Sequence, residues 1–217
     1  MVQRLRRRLL FAAAAWPLAA LAADAFEPFE GVDYHAISPQ PTGDPKRIEV
    51  IEFFYYGCRW CYQAQPYLQE WLRRKPPDVD FHYRPAIRNT RWLVLTKAYF
   101  VLQAMGQLQR LHMPLYRAYH RDDVNVEDEA VLAGWALKQG IELKPFEQLL
   151  ASDEVMAKVQ RARESTYAYA IESTPSMVVD GRYLTSSGMA GGVVQMMEVT
   201  EALVAQVRKE RRAEPQS

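Results

Sequence analysis

Cysteine is nearly absent from this chain of 217 residues, which has only two, Cys58 and Cys61. Two are too few for the disulfide framework that staples small exported domains. Histidine is also scarce: His35, His82, His112 and His120 are the only four, and none stands at a paired ligand spacing with the cysteines. Zinc takes about four ligands, so the pair does not read as half of a metal site. A charge of one sign is missing as well, because 27 basic side chains face 26 acidic ones for a net charge of +1. That balance gives no footprint for a nucleic-acid partner. Beyond the N-terminus there is no apolar run of about 18 residues, the length a membrane helix needs.

What is present begins with a leader. Arg4, Arg6, Arg7 and Arg8 form a charged start, Leu9 to Leu18 an apolar core, and Ala20-Leu21-Ala22 a small-residue cleavage site, the pattern of a secretory signal peptide over residues 1–22. The stretch is short for a membrane anchor and is broken by Pro17. The residues around the arginine pair match a twin-arginine signal poorly, which favours export of the unfolded chain. Cleavage after Ala22 removes four arginines and no acid, taking the net charge from +1 to −3. The remaining length suffices for one domain with a full core, or for one carrying an insertion.

The rest is organised around Cys58-Arg59-Trp60-Cys61. Ile48 to Tyr55 is nearly continuous in β-branched and aromatic residues, which predicts a central strand covered on both faces. Gly57 breaks it, and a helix from Cys58 to about Arg74 ends before Pro76-Pro77. On the first turn of that helix the two sulfurs share a face and can close a small ring. Unpaired N–H groups and the helix dipole favour a thiolate at Cys58. A low thiol pKa makes Cys58 both the nucleophile and a good leaving group, with Cys61 buried as the resolving thiol. A purely structural role is weak, since so small a loop removes little unfolded-state entropy.

Glu52 lies mid-strand, six residues before Cys58. It is either a polar residue on an incompletely covered face or a buried carboxyl below the cysteine helix that relays a proton to or from Cys61. The helix should bury Tyr62, Leu68 and Leu72 and kink at Pro66. Val79 to Tyr83 then predicts a parallel second strand, completing a βαβ unit. A short strand is also expected at Asp33 to Ile37. From about Arg91 helical periodicity takes over, with Leu95, Tyr99, Leu102 and Met105 placing a helix over Leu93 to Gln109. Asn125 is a candidate cap for a helix ending before Gly140, and Ser152 for another. His112, His120, Trp92 and Trp135 read as packing residues of this region. Ser176 to Val179, Asp180-Gly181 and Arg182 to Leu184 form a hairpin signature, entered through Thr174-Pro175, a candidate cis bond. A helix over about Val193 to Lys209 closes the chain.

In this order the motifs resemble the DsbA family of bacterial periplasmic thiol:disulfide oxidoreductases. The matching residues are Glu52-Phe53-Phe54, Gly57-Cys58, Cys61-Tyr62, Pro66, and Thr174-Pro175 before Val178-Val179-Asp180-Gly181. The resemblance implies an α/β chain, a thioredoxin fold with an inserted all-helical subdomain. Residues 23–88 and 169–217 would form the thioredoxin-like part and residues 89–168 the insertion. It also implies that Pro175 is cis and packs against the cysteines, and that the Thr174 backbone binds an extended substrate as an added strand. Family members usually carry proline and histidine between the cysteines. Here Arg59 and Trp60 stand there, and the Arg59 cation is expected to replace part of the thiolate stabilisation that histidine gives.

The implied function is donation of a disulfide to newly exported proteins with free thiols, in the periplasm, by a monomer that needs no bound cofactor. Reoxidation would come from a membrane quinone-linked partner of the DsbB type. Two alternatives stay open: a reductase or isomerase on the same fold, and a non-catalytic chaperone that holds unfolded exported proteins around Pro175.

Overall fold

A computed structural model describes residues 26–213; the leader at 1–22 lies outside them. Five strands form one sheet in the order β1-β5-β4-β2-β3. Strand β2 (Ile48–Phe54) is buried along its whole length. It pairs in parallel with β3 (Val79–Pro85) and antiparallel with β4 (Ser176–Val179), so its nearly continuous apolar pattern reflects cover from both faces and both edges. Strand β5 (Tyr183–Ser186) returns from β4 through the tight Asp180-Gly181 turn. Edge strand β1 is shorter than expected, only His35–Ala36.

Helix α1 (Arg59–Arg74) joins β2 to β3 and remains helical through Pro66. It buries Cys61, Ala64, Gln65, Leu68 and Trp71. Tyr62 and Leu72, expected inside, are half-buried, because the covered stripe is rotated toward Trp71 and the sheet. The last helix, which follows six others and is α7 (Val193–Ala213), runs beyond the expected end. It packs with α1 on one sheet face over Val50, Met177 and Val179. Ile51, Phe53 and Val178 face the other way, toward Tyr169 and Ile171.

Between β3 and β4 the chain is helical after a single 3-10 turn at Thr90–Trp92: α2 (Leu93–Ala104), α3 (Leu108–His120), α4 (Glu129–Lys138), α5 (Leu143–Leu150) and α6 (Asp153–Ala168). The helix expected over Leu93 to Gln109 is two helices. Gly106 takes φ of +67°, a left-handed value that ends the first and turns the chain into the second. The α4 cap is Asp128, whose carboxylate accepts from the N–H groups of Ala130 and Val131 at 2.9 and 3.0 Å, not Asn125. Ser152 caps α6 as expected, accepting from the Val155 N–H at 3.2 Å. These helices share one core with the cysteine region, in which Phe54, Tyr56 and Cys61 pack with Leu95, Leu102, Leu111 and Leu115. The architecture is a thioredoxin-like α/β fold with an all-helical insertion.

Candidate active site

The site forms where β2 runs into α1. Gly57 is needed there for space, because a Cβ would strike the ring of Tyr55, which is stacked on Trp92 at 4.3 Å between centroids. Cys58 takes the N-cap position of α1 with extended backbone, φ −82° and ψ 118°. Both cysteines are free thiols, Cys58 half-buried and Cys61 fully buried.

Their environments push the two thiols apart. Cys58 is lowered to about 6, first by its hydrogen bond with Cys61, then by the Thr174 side chain and by the backbone amides of Cys61 and Trp60, against an opposing effect of burial. The amides point at the sulfur without strict capping geometry. Cys61 is pushed well above the usual thiol range, chiefly by burial and then by donating to Cys58. The Cys58 Sγ lies 3.1 Å from the Thr174 carbonyl oxygen, an acceptor that the protonated thiol can use. Thr174-Pro175 is cis, and Pro175 is buried.

Arg59 is exposed at the helix start, and the leading causes of the Cys58 shift are the hydrogen-bond donors that meet the sulfur directly. Trp60 acts on the sulfur through its backbone N–H, and its indole stays 57 % exposed. With Pro66, Tyr67, Met113 and Val194 that indole lines an apolar groove of about 580 Å³ beside the cysteines.

Glu52 shares the face of Val50 and Phe54 by strand alternation and is fully buried beneath α1. Burial raises its carboxyl to about 8, opposed in part by the nearby Gln65 amide and reinforced by the charge of Cys58. Neither carboxyl oxygen, nor either polar atom of Gln65, makes a hydrogen bond of normal geometry among the described residues. Gln65 escaped the sequence reading, although it stands four residues after Cys61 on the same helix face, where a polar side chain must be buried.

Helix α3 supplies residues that sequence placed only as packing. The His112 Nδ1 and the Tyr56 hydroxyl are 2.7 Å apart, and burial lowers His112 to about 3, leaving a neutral ring. The His120 Nε2–H donates to the Tyr56 carbonyl at 2.7 Å, and its ring stacks on Tyr62 at 5.1 Å. The described residues contain no cluster of three or more side chains suited to hold a metal ion.

The comparisons agree with this geometry. The family model of the DSBA-like thioredoxin domain matches residues 49–204. The thiol:disulfide interchange protein DsbA of Bordetella parapertussis is 33 % identical over 202 residues, covering 92 % of this chain and 96 % of its own. Its namesake from Pseudomonas aeruginosa is 29 % identical over 189 residues, covering 87 % and 90 %. Among solved structures, Pseudomonas aeruginosa DsbA superposes with a TM-score of 0.79 at 28 % identity, covering 84 % of this chain and 95 % of its own. The oxidoreductase DsbA from Xylella fastidiosa gives 0.78 at 28 % identity, covering 84 % and 98 %. With the family model spanning most of its length and the cysteine pair at the head of α1, the chain belongs to the family of DSBA-like thioredoxin domains.

Proposed function

We propose that this thiol:disulfide oxidoreductase works as a dithiol oxidase that donates the Cys58–Cys61 disulfide to exported proteins. The observation that carries the reading is the asymmetry of the pair: a half-buried Cys58 held near 6 beside a fully buried Cys61 held high. A stabilised Cys58 thiolate favours the reduced form, which makes the disulfide a strong oxidant. A substrate thiolate attacks the Cys58 sulfur, the Cys58–Cys61 bond breaks, and Cys61 leaves as a thiolate. Glu52, protonated below about 8, gives Cys61 its proton. A second substrate thiolate then attacks the substrate sulfur of the mixed disulfide and releases the Cys58 thiolate.

In this reading Thr174 and Pro175 present the backbone on which an extended substrate lies beside Cys58. The apolar groove at Trp60 and Val194 suits a segment of a DsbB-type membrane partner that withdraws the electrons. Residues 1–22 support export to the periplasm, the balanced charge supports a protein without nucleic-acid contacts, and a sequence without a coiled-coil heptad supports a monomer.

The test is the equilibrium potential of the pair against glutathione, with thiolate absorbance followed in the same samples. The oxidase reading expects a pair more oxidising than glutathione. A potential near that of reducing thioredoxins would transfer the site to a reductase or isomerase. Survival of the cellular function in Cys58→Ser would instead make it a holding chaperone.

A further inference from the structure

Helix α6 carries a polar face that the redox step does not use. Lys158, Arg161 and Ser165 follow one another at spacings of three and four, so they stand on one side of the helix. Between that side, the α2 helix and the end of β3 lies a cavity of about 330 Å³, to which β3 contributes Arg84. None of its lining residues belongs to the groove at Trp60 or to the Thr174-Pro175 loop.

Three cations thus line one cavity whose wall contains no carboxylate. Like charges this close on a helix repel, and the protein balances only part of that cost. The Lys158 Nζ donates at 2.8 Å to Glu154, which is 63 % exposed, lies outside the cavity and also offsets part of the Arg161 charge. Arg84 and Arg161 make no side-chain hydrogen bond or ion pair among the described residues. Arg84 is nevertheless held in place. Its guanidinium lies over the Phe53 ring at 5.6 Å and the Tyr169 ring at 5.3 Å, which fixes the fork and leaves its donors without a carboxylate.

We propose that this cavity binds a phosphate monoester with a flat apolar body, at a site separate from the cysteine pair. Three cations less the charge of Glu154 leave two positive charges, which a phosphate monoester neutralises at neutral pH and a carboxylate does not. The planar guanidinium forks match its several oxygens, and the Ser165 hydroxyl adds a neutral donor. Tyr83, Tyr99 and Phe100 supply an apolar wall for the body of the ligand. The volume falls at the lower end for small-molecule sites, enough for a head group and one ring. Because the head group meets α6 of the insertion and Arg84 of β3, bound ligand ties the insertion to the sheet. The site goes beyond the oxidase reading and does not rest on it, and no bond is made or broken there.

The test is a titration of the oxidised, nitrogen-15-labelled protein with phenyl phosphate, followed by amide shifts in NMR spectra, beside titrations with inorganic phosphate, benzoate and phenol. Phenyl phosphate should saturate, with the largest shifts at Arg84 and over residues 158–165, and bind about tenfold tighter than the other three. Arg161→Ala removes an exposed side chain and spares the fold, and it should weaken binding about tenfold. Arg84→Gln should weaken it at least as much; if that variant fails to fold, Arg161→Ala decides alone. Arg163→Ala, exposed on the same helix outside the cavity, should change affinity less than about twofold. At equal concentration phenyl phosphate should raise the thermal midpoint of wild type more than that of Arg161→Ala. Equal weakening by Arg161→Ala and Arg163→Ala, or shifts centred elsewhere, would reduce the effect to surface charge and overturn the site. Inorganic phosphate or benzoate binding as tightly as phenyl phosphate would overturn the ligand class, and failure of phenyl phosphate to saturate would overturn both.

Discussion

Cys58 and Glu52 have opposite pH signatures, and the two can be separated by substitution. The Cys58 thiol falls from 9.0 to about 6 on folding of the reduced chain. Between those values the folded state has released a proton that the unfolded state still holds, so this contribution grows from about pH 6 to pH 9 and is lost as pH falls through about 6. Cys58→Ser should abolish that rise, as read by urea unfolding of the reduced protein at a series of pH values. Glu52 moves the other way, from 4.5 to about 8. The folded state keeps a proton that the unfolded chain gives up, so stability is lost as pH rises from about 4.5 to about 8. Glu52→Gln removes the penalty. Near neutral to the fold at low pH, it should stabilise the protein by at least ~2 kcal/mol at about pH 9, since each tenfold weakening of carboxyl ionisation is worth about 1.4 kcal/mol. Equal stability of the two proteins at both ends of the range would mean that Glu52 ionises normally.

The elements that hold these residues were legible where the signal is local. The nearly continuous apolar run of β2, the helix beginning at Cys58, and the Asp180-Gly181 hairpin each follow from a short stretch of sequence, and each stands in the structure. Elements fixed by longer-range packing were not. The spacing of Leu95, Leu102 and Met105 fits one helix as well as two, and only the turn at Gly106 decides. Asn125 and Asp128 are both good caps by type, and the chain selects Asp128 because its carboxylate meets two N–H groups. Asp128→Ala should therefore cost about 1 kcal/mol in urea unfolding and Asn125→Ala less than half of that; the reverse order would place the cap at Asn125. At the β2–α1 turn, Gly57→Ala puts a methyl into the Tyr55 ring, which Trp92 prevents from moving aside. Overpacking of this kind costs roughly 1–3 kcal/mol, and it should shift the Cys58 thiolate absorbance as well, since the turn carries the sulfur.

At the scale of the whole molecule, the boundary that sequence suggests between a thioredoxin part and a helical insertion is not a boundary in the core. Gln65 and Tyr116 were missed for the same reason: at helical spacing a polar side chain reads as surface, and only the docking of α3 onto α1 and β2 encloses it. That docking is extensive. Besides the shared apolar core, the Tyr99 hydroxyl donates to the Tyr83 carbonyl at 3.1 Å and the Ile87 N–H to the Thr166 hydroxyl at 3.0 Å. Neither part can open without exposing Phe54, Tyr56 and Cys61 or leaving these buried groups unpaired. The chain should therefore unfold in one cooperative step. Far-ultraviolet circular dichroism is dominated by the helices, whereas Trp71 lies in α1 and Trp92 and Trp135 in the insertion, so the two probes weigh the parts differently. In a urea titration of the reduced protein their transitions should coincide. A dichroism transition displaced from that of a variant keeping only Trp71 would show that the insertion unfolds by itself. In that case Tyr116 and His112 would be withdrawn from the cysteines while the thioredoxin part still stood.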